Sequence, residues 1–411
     1  MLTQYGHLTY CSNIHPGESW NEHFLQLQQH VPLIKQKICG DQPFGIGLRL
    51  SNTASLELRK EEQLLNFKQW LQQQGCYVFT MNGFPYGGFH RTRVKDDVHT
   101  PDWTTSDRVQ YTVRLAQLLA ALLPGDMDGG ISTSPLSYKH WHSVNDYDDV
   151  FEKATFNLLH VVEQLIKIKQ STGKLIHIDL EPEPDGLMET GMEFIDWFRN
   201  HLLRIGVPWL RDKLQLHETA AVSALKEHVC ICYDVCHFAV GYEDHKKVID
   251  TLELNEIRVG KIQISAALKG VFSEQLENRK EVIEAFSEFN EPVYLHQVVA
   301  KNKTGALYRY PDLPEALSQG DSEATEWRAH FHVPIFVQDY GYLQSTQVDI
   351  RQVLWIHMHR SFTNHLEIET YTWDVLPPDL KLPMTESIIR ECEWVLKQLT
   401  TDDLNQDVVD A

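Results

Sequence analysis

Acidic side chains follow apolar, strand-like segments at three separate points in this sequence. Glu181 follows LIHIDL, Asp234 ends VCICYD, and Glu369 lies in LEIETYT. A fourth polar residue, Gln263, lies in KIQIS. If these segments are parallel strands of one barrel, their carboxyl ends meet at one face. Two glutamates, an aspartate and an amide oxygen are ligands that suit Mn²⁺ or Mg²⁺, and Zn²⁺ fits if a histidine joins them.

A divalent cation at this place would polarise a carbonyl or hydroxyl group of a substrate. A neighbouring carboxylate could then move a proton on the adjacent carbon. We therefore predict Glu181 and Glu369 as metal ligands and also as the catalytic acid–base pair. Asp234 is predicted as a further ligand.

Each carboxylate also has a structural interpretation. Asp234 stands where a strand passes into a helix, and aspartate at such a turn often caps the helix. Glu181 lies at a strand exit and is followed by Pro182, and helix capping explains such a carboxylate poorly. Glu367 and Glu369 are two residues apart and share a strand face, so either one could form a salt bridge instead.

Several histidines accompany these carboxylates. His237 follows Asp234 by three residues, and His332 lies in the strand-like segment HFHVPIFV. A lone histidine in a strand is more often a core residue than a ligand, but His332 is an alternative to Gln263 as the group that completes the metal shell. Residues in the loops and near strand ends are predicted to bind substrate, namely His15, Asn82, His90, His237 and His296.

The composition excludes several classes of protein. The chain has 411 residues and a formal net charge of −20, which disfavours a nucleic acid or an anionic membrane as partner. No apolar run approaches the roughly 18 residues of a membrane span, and we see no signal peptide. Seven cysteines lie mostly in strand-like segments without a CxxC pair, as in a reducing compartment, so we expect a cytoplasmic protein.

Strand-like segments alternate with helical ones along most of the chain, which predicts a parallel sheet. We predict an α/β fold, a single (β/α)₈ TIM barrel over residues 1–399. About ten candidate strands exceed the eight of a barrel, so a strand pair or lid is predicted as an insertion near residues 272–345. Residues 400–411 are predicted to form a flexible acidic tail. A doubly wound sheet competes, but no glycine-rich phosphate loop follows the first strand.

These strand-end residues resemble those of the xylose isomerase-like barrels, a group of sugar isomerases, sugar-phosphate isomerases and epimerases that also includes endonuclease IV. The group typically binds a divalent metal through Glu, Asp, His and Glu of the last four strands. Glu181 and Glu369 match the two glutamates, and Asp234-Val235-Cys236-His237 matches a DxxH element whose histidine contacts substrate or metal. Gln263 departs from the pattern, because it stands where these enzymes usually place histidine.

The segments TYCSNIHPGESW, NGFPYGGFH, LEPEP and LEIETYTWDVLP resemble the EboE family more narrowly. EboE proteins are encoded in ebo gene clusters and are called metabolite-traffic proteins. This resemblance implies association with other proteins of such a cluster.

The sequence is compatible with three functions. The first is a metal-dependent isomerase or epimerase that acts on a small polyhydroxylated molecule such as a sugar, a sugar phosphate or a cyclitol. The second is a non-catalytic metabolite-binding protein, which Gln263 favours. The third is an endonuclease IV-like phosphodiesterase, which the charge of −20 disfavours.

Overall fold

The computed structural model describes residues 1–89, 94–320, 323–373, 376, 378 and 381–400. The strands are β1 Leu2–Thr3, β2 Gly6–Tyr10, β3 Phe44–Arg49, β4 Cys76–Asn82, β5 Gly129–Thr133, β6 Ile176–Leu180, β7 Val229–Asp234, β8 Val259–Ile264, β9 Ala266–Val271, β10 Val298–Asn302, β11 Leu307–Tyr310, β12 Ala324–Val333, β13 Asp339–Tyr340, β14 Leu343–Ser345 and β15 His365–Ile368.

The helices surround or connect these strands. They are α1 Trp20–Ile38, α2 Asn52–Leu58, α3 Glu61–Gln74, α4 Ser106–Leu122, α5 Tyr147–Thr172, α6 Gly191–Trp197, α7 Arg204–Leu214, α8 Glu218–His228, α9 Val235–Val240, α10 His245–Leu254, α11 Leu276–Ser287, α12 Leu313–Gln319, α13 Gln347–His359 and α14 Met384–Gln398. None of the helices described is long and apolar enough to cross a membrane.

Eight parallel strands of the described chain form a barrel. Their order in the sheet is β2-β15-β8-β7-β6-β5-β4-β3, with the short β1 antiparallel to β2 at the edge. A parallel bridge between Cys11 and Gly47 joins the two ends, β2 and β3. The Thr9 hydroxyl donates to the Gly45 carbonyl at 2.8 Å and accepts from the Gly47 amide at 3.0 Å, so side-chain hydrogen bonds support the closure.

The barrel strands are buried on both faces, as parallel strands covered by helices must be. All six residues of β3, β7 and β8 are buried. Gly47 is required at the closure, because a Cβ there would lie 1.8 Å from Glu367 Oε1 and 2.7 Å from the Tyr10 carbonyl oxygen. The close approach of β2 and β3 therefore depends on the absence of a side chain.

The apolar spacing over residues 56–74 is typical of one helix, but the structure has two, α2 and α3. Ser51 caps α2 by accepting from the Ala54 amide, and α3 begins after Lys60 with Glu61 and Glu62 in its first turn. Carboxylates at that position interact favourably with the positive end of the helix dipole. The apolar spacing alone did not show this second start.

The predicted insertion is larger than a strand pair. Six strands form an antiparallel sheet in the order β11-β10-β12-β9-β14-β13, and α11 and α12 belong to the same segment. This sheet begins directly after the barrel strand β8, since only Ser265 separates β8 from β9. The carboxyl end of β12 lies next to the barrel, because Val333 pairs with Ala266, two residues after the end of β8. His330 and His332 are thereby carried to the carboxyl ends of the barrel strands.

Candidate metal centre

Four neighbouring barrel strands bring the predicted ligands to one end of the barrel. β15, β8, β7 and β6 are consecutive in the sheet. Glu369 follows β15, Gln263 lies near the end of β8, Asp234 ends β7 and Glu181 follows β6. Gln263 pairs with Asp234 across β7 and β8. The four side chains, each at most 5% exposed, therefore form a buried arc of neighbouring donors.

Asp234 has two separate roles because its two carboxylate oxygens differ. Oδ1 accepts from the His237 amide at 3.0 Å, which caps α9, and from the Ser265 hydroxyl at 2.8 Å. Oδ2 makes no hydrogen bond with any described residue and is fully buried. The cap interpretation and the ligand interpretation are thus compatible, since each uses a different oxygen.

Glu369 is held in place by two amides. Asn13 Nδ2 donates to Glu369 Oε1 at 2.7 Å, and Asn82 Nδ2 donates to the same oxygen at 2.8 Å. These donors fix one oxygen as an acceptor and favour the charged carboxylate. Asn82 lies at the cavity wall, and its predicted contact with substrate stays a prediction.

Gln263 and His332 both present polar atoms that lack partners among the described residues. Neither the oxygen nor the nitrogen of the Gln263 amide forms a hydrogen bond. His332 Nδ1 donates to the Glu369 carbonyl at 2.9 Å, so Nε2 carries a lone pair, and this atom is also unpartnered. It lies 4.0 Å from Asp234 Oδ2. Both residues can therefore contribute to a metal shell, and His332 also borders the cavity.

The charges at this end of the barrel repel one another. Burial raises the pKa of Glu181 well above its ordinary value, and the nearby charges of Glu369 and Asp234 raise it further. Burial and the charge of Asp234 do the same for Glu369. Three buried acids with no lysine or arginine of the described chain among them suit a divalent ion, which would supply the missing positive charge. The residues present therefore fit the predicted metal.

One cation of the chain lies a layer deeper in the barrel. Lys261 Nζ donates to Glu367 Oε2 at 2.6 Å and to Ser132 Oγ at 3.2 Å, and both charged side chains are fully buried. Burial lowers the pKa of Lys261, but the charge of Glu367, its hydrogen bond and the nearby Cys232 and Cys11 together raise the pKa overall. Because Lys261 is paired with Glu367, its charge lowers the pKa of Glu181 and Glu369 only in part, and both pKa values stay raised. Glu367 is thus the salt-bridged member of the Glu367–Glu369 pair.

The cavity above these carboxylates contains about 590 Å³ of empty space, part of it open to solvent. Its wall combines the carboxylates and histidines with aromatic side chains, including Phe84, Tyr294 and Tyr371.

The predicted substrate-binding histidines are not all at this cavity. His237 lines it, whereas His15 and His296 do not. His15 is buried, with Nε2 2.9 Å from the Tyr10 hydroxyl and its ring stacked on His30. Both nitrogens of His296 are engaged, one with the His330 carbonyl at 2.9 Å and one with Glu291 Oε1 at 2.7 Å. His90 lies outside the described residues.

Sequence reasoning overlooked some residues of the cavity. Asn13, His99 and Gln297 carry no signal in the sequence. His330 shares the strand-like segment of His332, where a histidine is more often a core residue than a ligand. Glu183, which lies between Pro182 and Pro184, is 5% exposed, and its Oε1 lies 3.2 Å from His99 Nε2.

No protein-family model matches the sequence, and no curated protein matches it. Solved structures do resemble it. An L-ribulose 3-epimerase aligns with a TM-score of 0.50 and 10% identity over 99% of this chain and 98% of that one. A xylose isomerase-like TIM barrel protein from Mycobacterium smegmatis in complex with magnesium aligns at 0.49 and 11%, over 97% of each chain. A D-tagatose 3-epimerase-like protein aligns at 0.48 and 10%, over 96% and 97%.

At such low identity the likeness shows the fold. The chain has the TIM-barrel fold of these structures, which confirms the α/β barrel predicted from the sequence. A shared fold does not define the reaction or the substrate, which depend on the residues of the site.

Proposed function

We propose that this protein is a divalent-metal-dependent isomerase or epimerase that acts on a sugar, a sugar phosphate or a cyclitol. The proposal depends mainly on one observation. Three buried carboxylates converge at the carboxyl ends of neighbouring strands, namely Glu181, Asp234 and Glu369. One of their oxygens, Asp234 Oδ2, has no hydrogen-bond partner among the described residues. The solved structures of this fold include sugar epimerases and a magnesium complex, which supports the same class of activity.

Glu181, Asp234 and Glu369 would hold the ion, with Gln263 or His332 completing the shell. A cation bound there would polarise a substrate carbonyl or hydroxyl group and make a proton on the adjacent carbon more acidic. We assign Mn²⁺ or Mg²⁺ to the oxygen-rich set, and Zn²⁺ to a shell that includes His332.

The chain's own residues would move the proton. Glu181 follows β6 and Glu369 follows β15, so the two glutamates stand at opposite ends of the ligand arc. Asn13 and Asn82 hold one oxygen of Glu369 as an acceptor. Burial and neighbouring acids raise the pKa of Glu181, which suits a group that has to accept and return a proton near neutral pH. The aromatic wall of the cavity would exclude water from the reacting carbon.

Solvent-deuterium exchange tests this function. Metal-loaded protein is incubated in D₂O with a panel of ketoses, sugar phosphates and cyclitols, and carbon-bound deuterium is followed by NMR. We expect exchange into at least one substrate, and we expect Glu369→Gln to lower the rate by about 10²–10⁴-fold, as for loss of an acid–base group. The matched control is Glu227→Gln at the surface ion pair with Lys169, which should leave exchange unchanged.

A second function is favoured by Gln263, a neutral amide at a position where related enzymes usually place histidine. Here the barrel would bind a metabolite without turnover, in line with the resemblance to EboE metabolite-traffic proteins. Bound metal without exchange into any compound would support this function over catalysis. Under either function, we propose a small polyhydroxylated ligand, a cytoplasmic location and association with proteins of the same gene cluster. The net charge of −20 supports a small ligand rather than a nucleic acid.

A further inference from the structure

The opposite end of the barrel, where the strands begin, holds a separate group of histidines and carboxylates. Asp128 directly precedes β5, His177 is the second residue of β6, and His365 is the first residue of β15. β6 and β15 are not neighbours in the sheet, because β7 and β8 lie between them. The two histidines are fully buried, at 0% and 1% exposure, and Asp128 is partly exposed. The three residues therefore connect strands from different sides of the barrel.

Asp128 faces both imidazoles. Its Oδ2 is 3.5 Å from His177 Nε2, and its Oδ1 is 3.4 Å from His365 Nε2. Both separations exceed the about 2.7–2.9 Å of a charge-assisted hydrogen bond, and neither ring nitrogen has a hydrogen-bond partner in the described part of the chain. Two ligands bound tetrahedrally to Zn²⁺ at about 2.0–2.1 Å are about 3.3–3.4 Å apart. The observed separations therefore suit a shared ion better than direct hydrogen bonds.

His177 is oriented as metal-binding histidines usually are. Its Nδ1 donates to Asp179 Oδ1 at 2.5 Å, which leaves Nε2 for an ion. Metal-ligating histidines typically donate their other N–H to a carboxylate or a carbonyl in this way. Two glycines make room for this pair. A Cβ at Gly260 would lie 1.9 Å from Asp179 Oδ1, and a Cβ at Gly130 would lie 2.8 Å from His177 Cε1.

A protonated His177 is the alternative to an ion. Burial lowers the pKa of His177, but the nearby carboxylates of Asp179 and Asp128 raise it to about 9 overall. A proton on His177 does nothing for His365, whose two buried ring nitrogens both lack a partner among the described residues. Burial lowers the pKa of His365, so this imidazole is neutral near pH 7 and carries a lone pair. A metal ion uses that lone pair.

We propose that Asp128, His177 and His365 form a structural Zn²⁺ site at the amino end of the barrel. The ligand atoms of these residues all lie within 4.8 Å of one another. Two imidazoles and one carboxylate are a ligand set typical of Zn²⁺, with a fourth position for water. Arg258 Nη2 donates to Asp128 Oδ2 at 3.0 Å and fixes the orientation of the carboxylate. The ion would link β5, β6 and β15 and so stabilise the barrel.

This amino-end site is independent of the proposed isomerase activity. His177 precedes Glu181 by four residues, which is about 13 Å along an extended strand. The two ligand sets share no residue. TIM barrels carry their chemistry at the carboxyl ends of the strands, so we expect the amino-end ion to affect stability and not the reaction.

Zinc content and unfolding temperature test the proposal together. The full-length protein is stripped with a chelator, reloaded with Zn²⁺, desalted and measured by elemental analysis. The carboxyl-end site can also bind Zn²⁺, so the variants are compared in a Glu369→Gln background. We expect one Zn²⁺ per chain fewer when His365→Gln or Asp128→Asn is added to this background. Zn²⁺ should raise the unfolding temperature of Glu369→Gln and leave that of both double variants unchanged.

His228→Gln, in the same background, is the control for losing a buried histidine at this end of the barrel. His228 Nδ1 lies 2.6 Å from the Ile176 carbonyl oxygen, outside the ligand set, so the zinc content should not change. Asp128→Asn alters the partly exposed ligand and still gives a result if His365→Gln does not fold. Zinc content that is unchanged in both double variants, as a protonated His177 would give, overturns the site. An unfolding temperature of Glu369→Gln that does not respond to Zn²⁺ overturns it as well.

Discussion

Asp234 shows how one residue can serve the fold and the site together. Its Oδ1 caps α9, and its Oδ2 is buried without a partner among the described residues. Sequence reasoning set these two interpretations against each other, because a pattern of residue types does not distinguish the two oxygens of one carboxylate.

Asparagine at position 234 should separate these roles. Asparagine caps helices about as well as aspartate, so Asp234→Asn should keep the unfolding midpoint of the chelator-treated protein. It removes a charged ligand, and we expect the affinity for Mn²⁺ to fall by at least about 100-fold. Asp234→Ala should lose the cap as well, at about 1 kcal/mol of unfolding free energy. Titration calorimetry and thermal unfolding measure both effects, and an unchanged affinity in Asp234→Asn would show that Oδ2 binds no metal.

At the scale of single residues, the carboxylates of the site could be predicted from the sequence, but most of the residues that contact them could not. Glu181, Asp234 and Glu369 could be found because each follows an apolar strand, and strand ends of a barrel converge. Asn13, His330 and Gln297 could not be found in this way. Their importance depends on which atoms face them across the fold, such as the Asn13 amide on Glu369 and the Gln297 oxygen on His330.

At the scale of elements, the barrel strands and the place of the insertion were predictable, but the six-stranded sheet inside the insertion was not. Barrel strands are apolar on both faces and are separated by helices, so their pattern is strong in the sequence. The inserted strands β10, β11 and β12 belong to an antiparallel sheet and are partly exposed, so their apolar patterns are weaker than those of the barrel strands. The register that places His330 and His332 at the site depends on pairing with β9, which no local signal specifies.

The buried ion pair beneath the site, Lys261 with Glu367, joins the barrel strands β8 and β15. Lys261→Met should lower the free energy of unfolding by about 3–5 kcal/mol, because it leaves Glu367 buried without its partner. Replacing both residues, as in Lys261→Met with Glu367→Leu, should recover much of that loss. Urea unfolding at neutral pH measures the effect.

The matched control for this pair is on the surface. Lys167→Met removes the half-exposed partner of Glu163 on α5 and should cost less than about 1 kcal/mol. If Lys261→Met costs no more than this control, the buried pair does not support the barrel as described.

At the scale of the whole molecule, the carboxylates predict how stability depends on pH. Burial raises the pKa of Glu181 and Glu369 in the folded protein, so without metal the folded state binds more protons than the unfolded state. This contribution is complete below the ordinary glutamate pKa and is lost as pH rises towards the raised value. Metal-free wild type should therefore lose stability relative to Glu369→Gln as pH rises from about 5 to about 8. Histidine contributions are common to both proteins and cancel in the difference.

Metal should reverse this trend. Ligand carboxylates must be deprotonated to bind, so the gain in unfolding temperature on adding Mn²⁺ should increase with pH in the wild type. The gain should be small at every pH in Glu369→Gln. Thermal unfolding with chelator and with Mn²⁺ over the same pH range measures both parts. A difference between the two proteins that does not change with pH would contradict the raised pKa values.

Diffraction from a crystal grown with Mn²⁺ tests the ligand set most directly. An anomalous difference map should show a peak roughly 2.0–2.4 Å from carboxylate oxygens of Glu181, Asp234 and Glu369. The same map should show whether Gln263 or His332 completes the shell. A map without a peak among these three carboxylates, at a Mn²⁺ concentration that saturates the protein in solution, would contradict the metal centre.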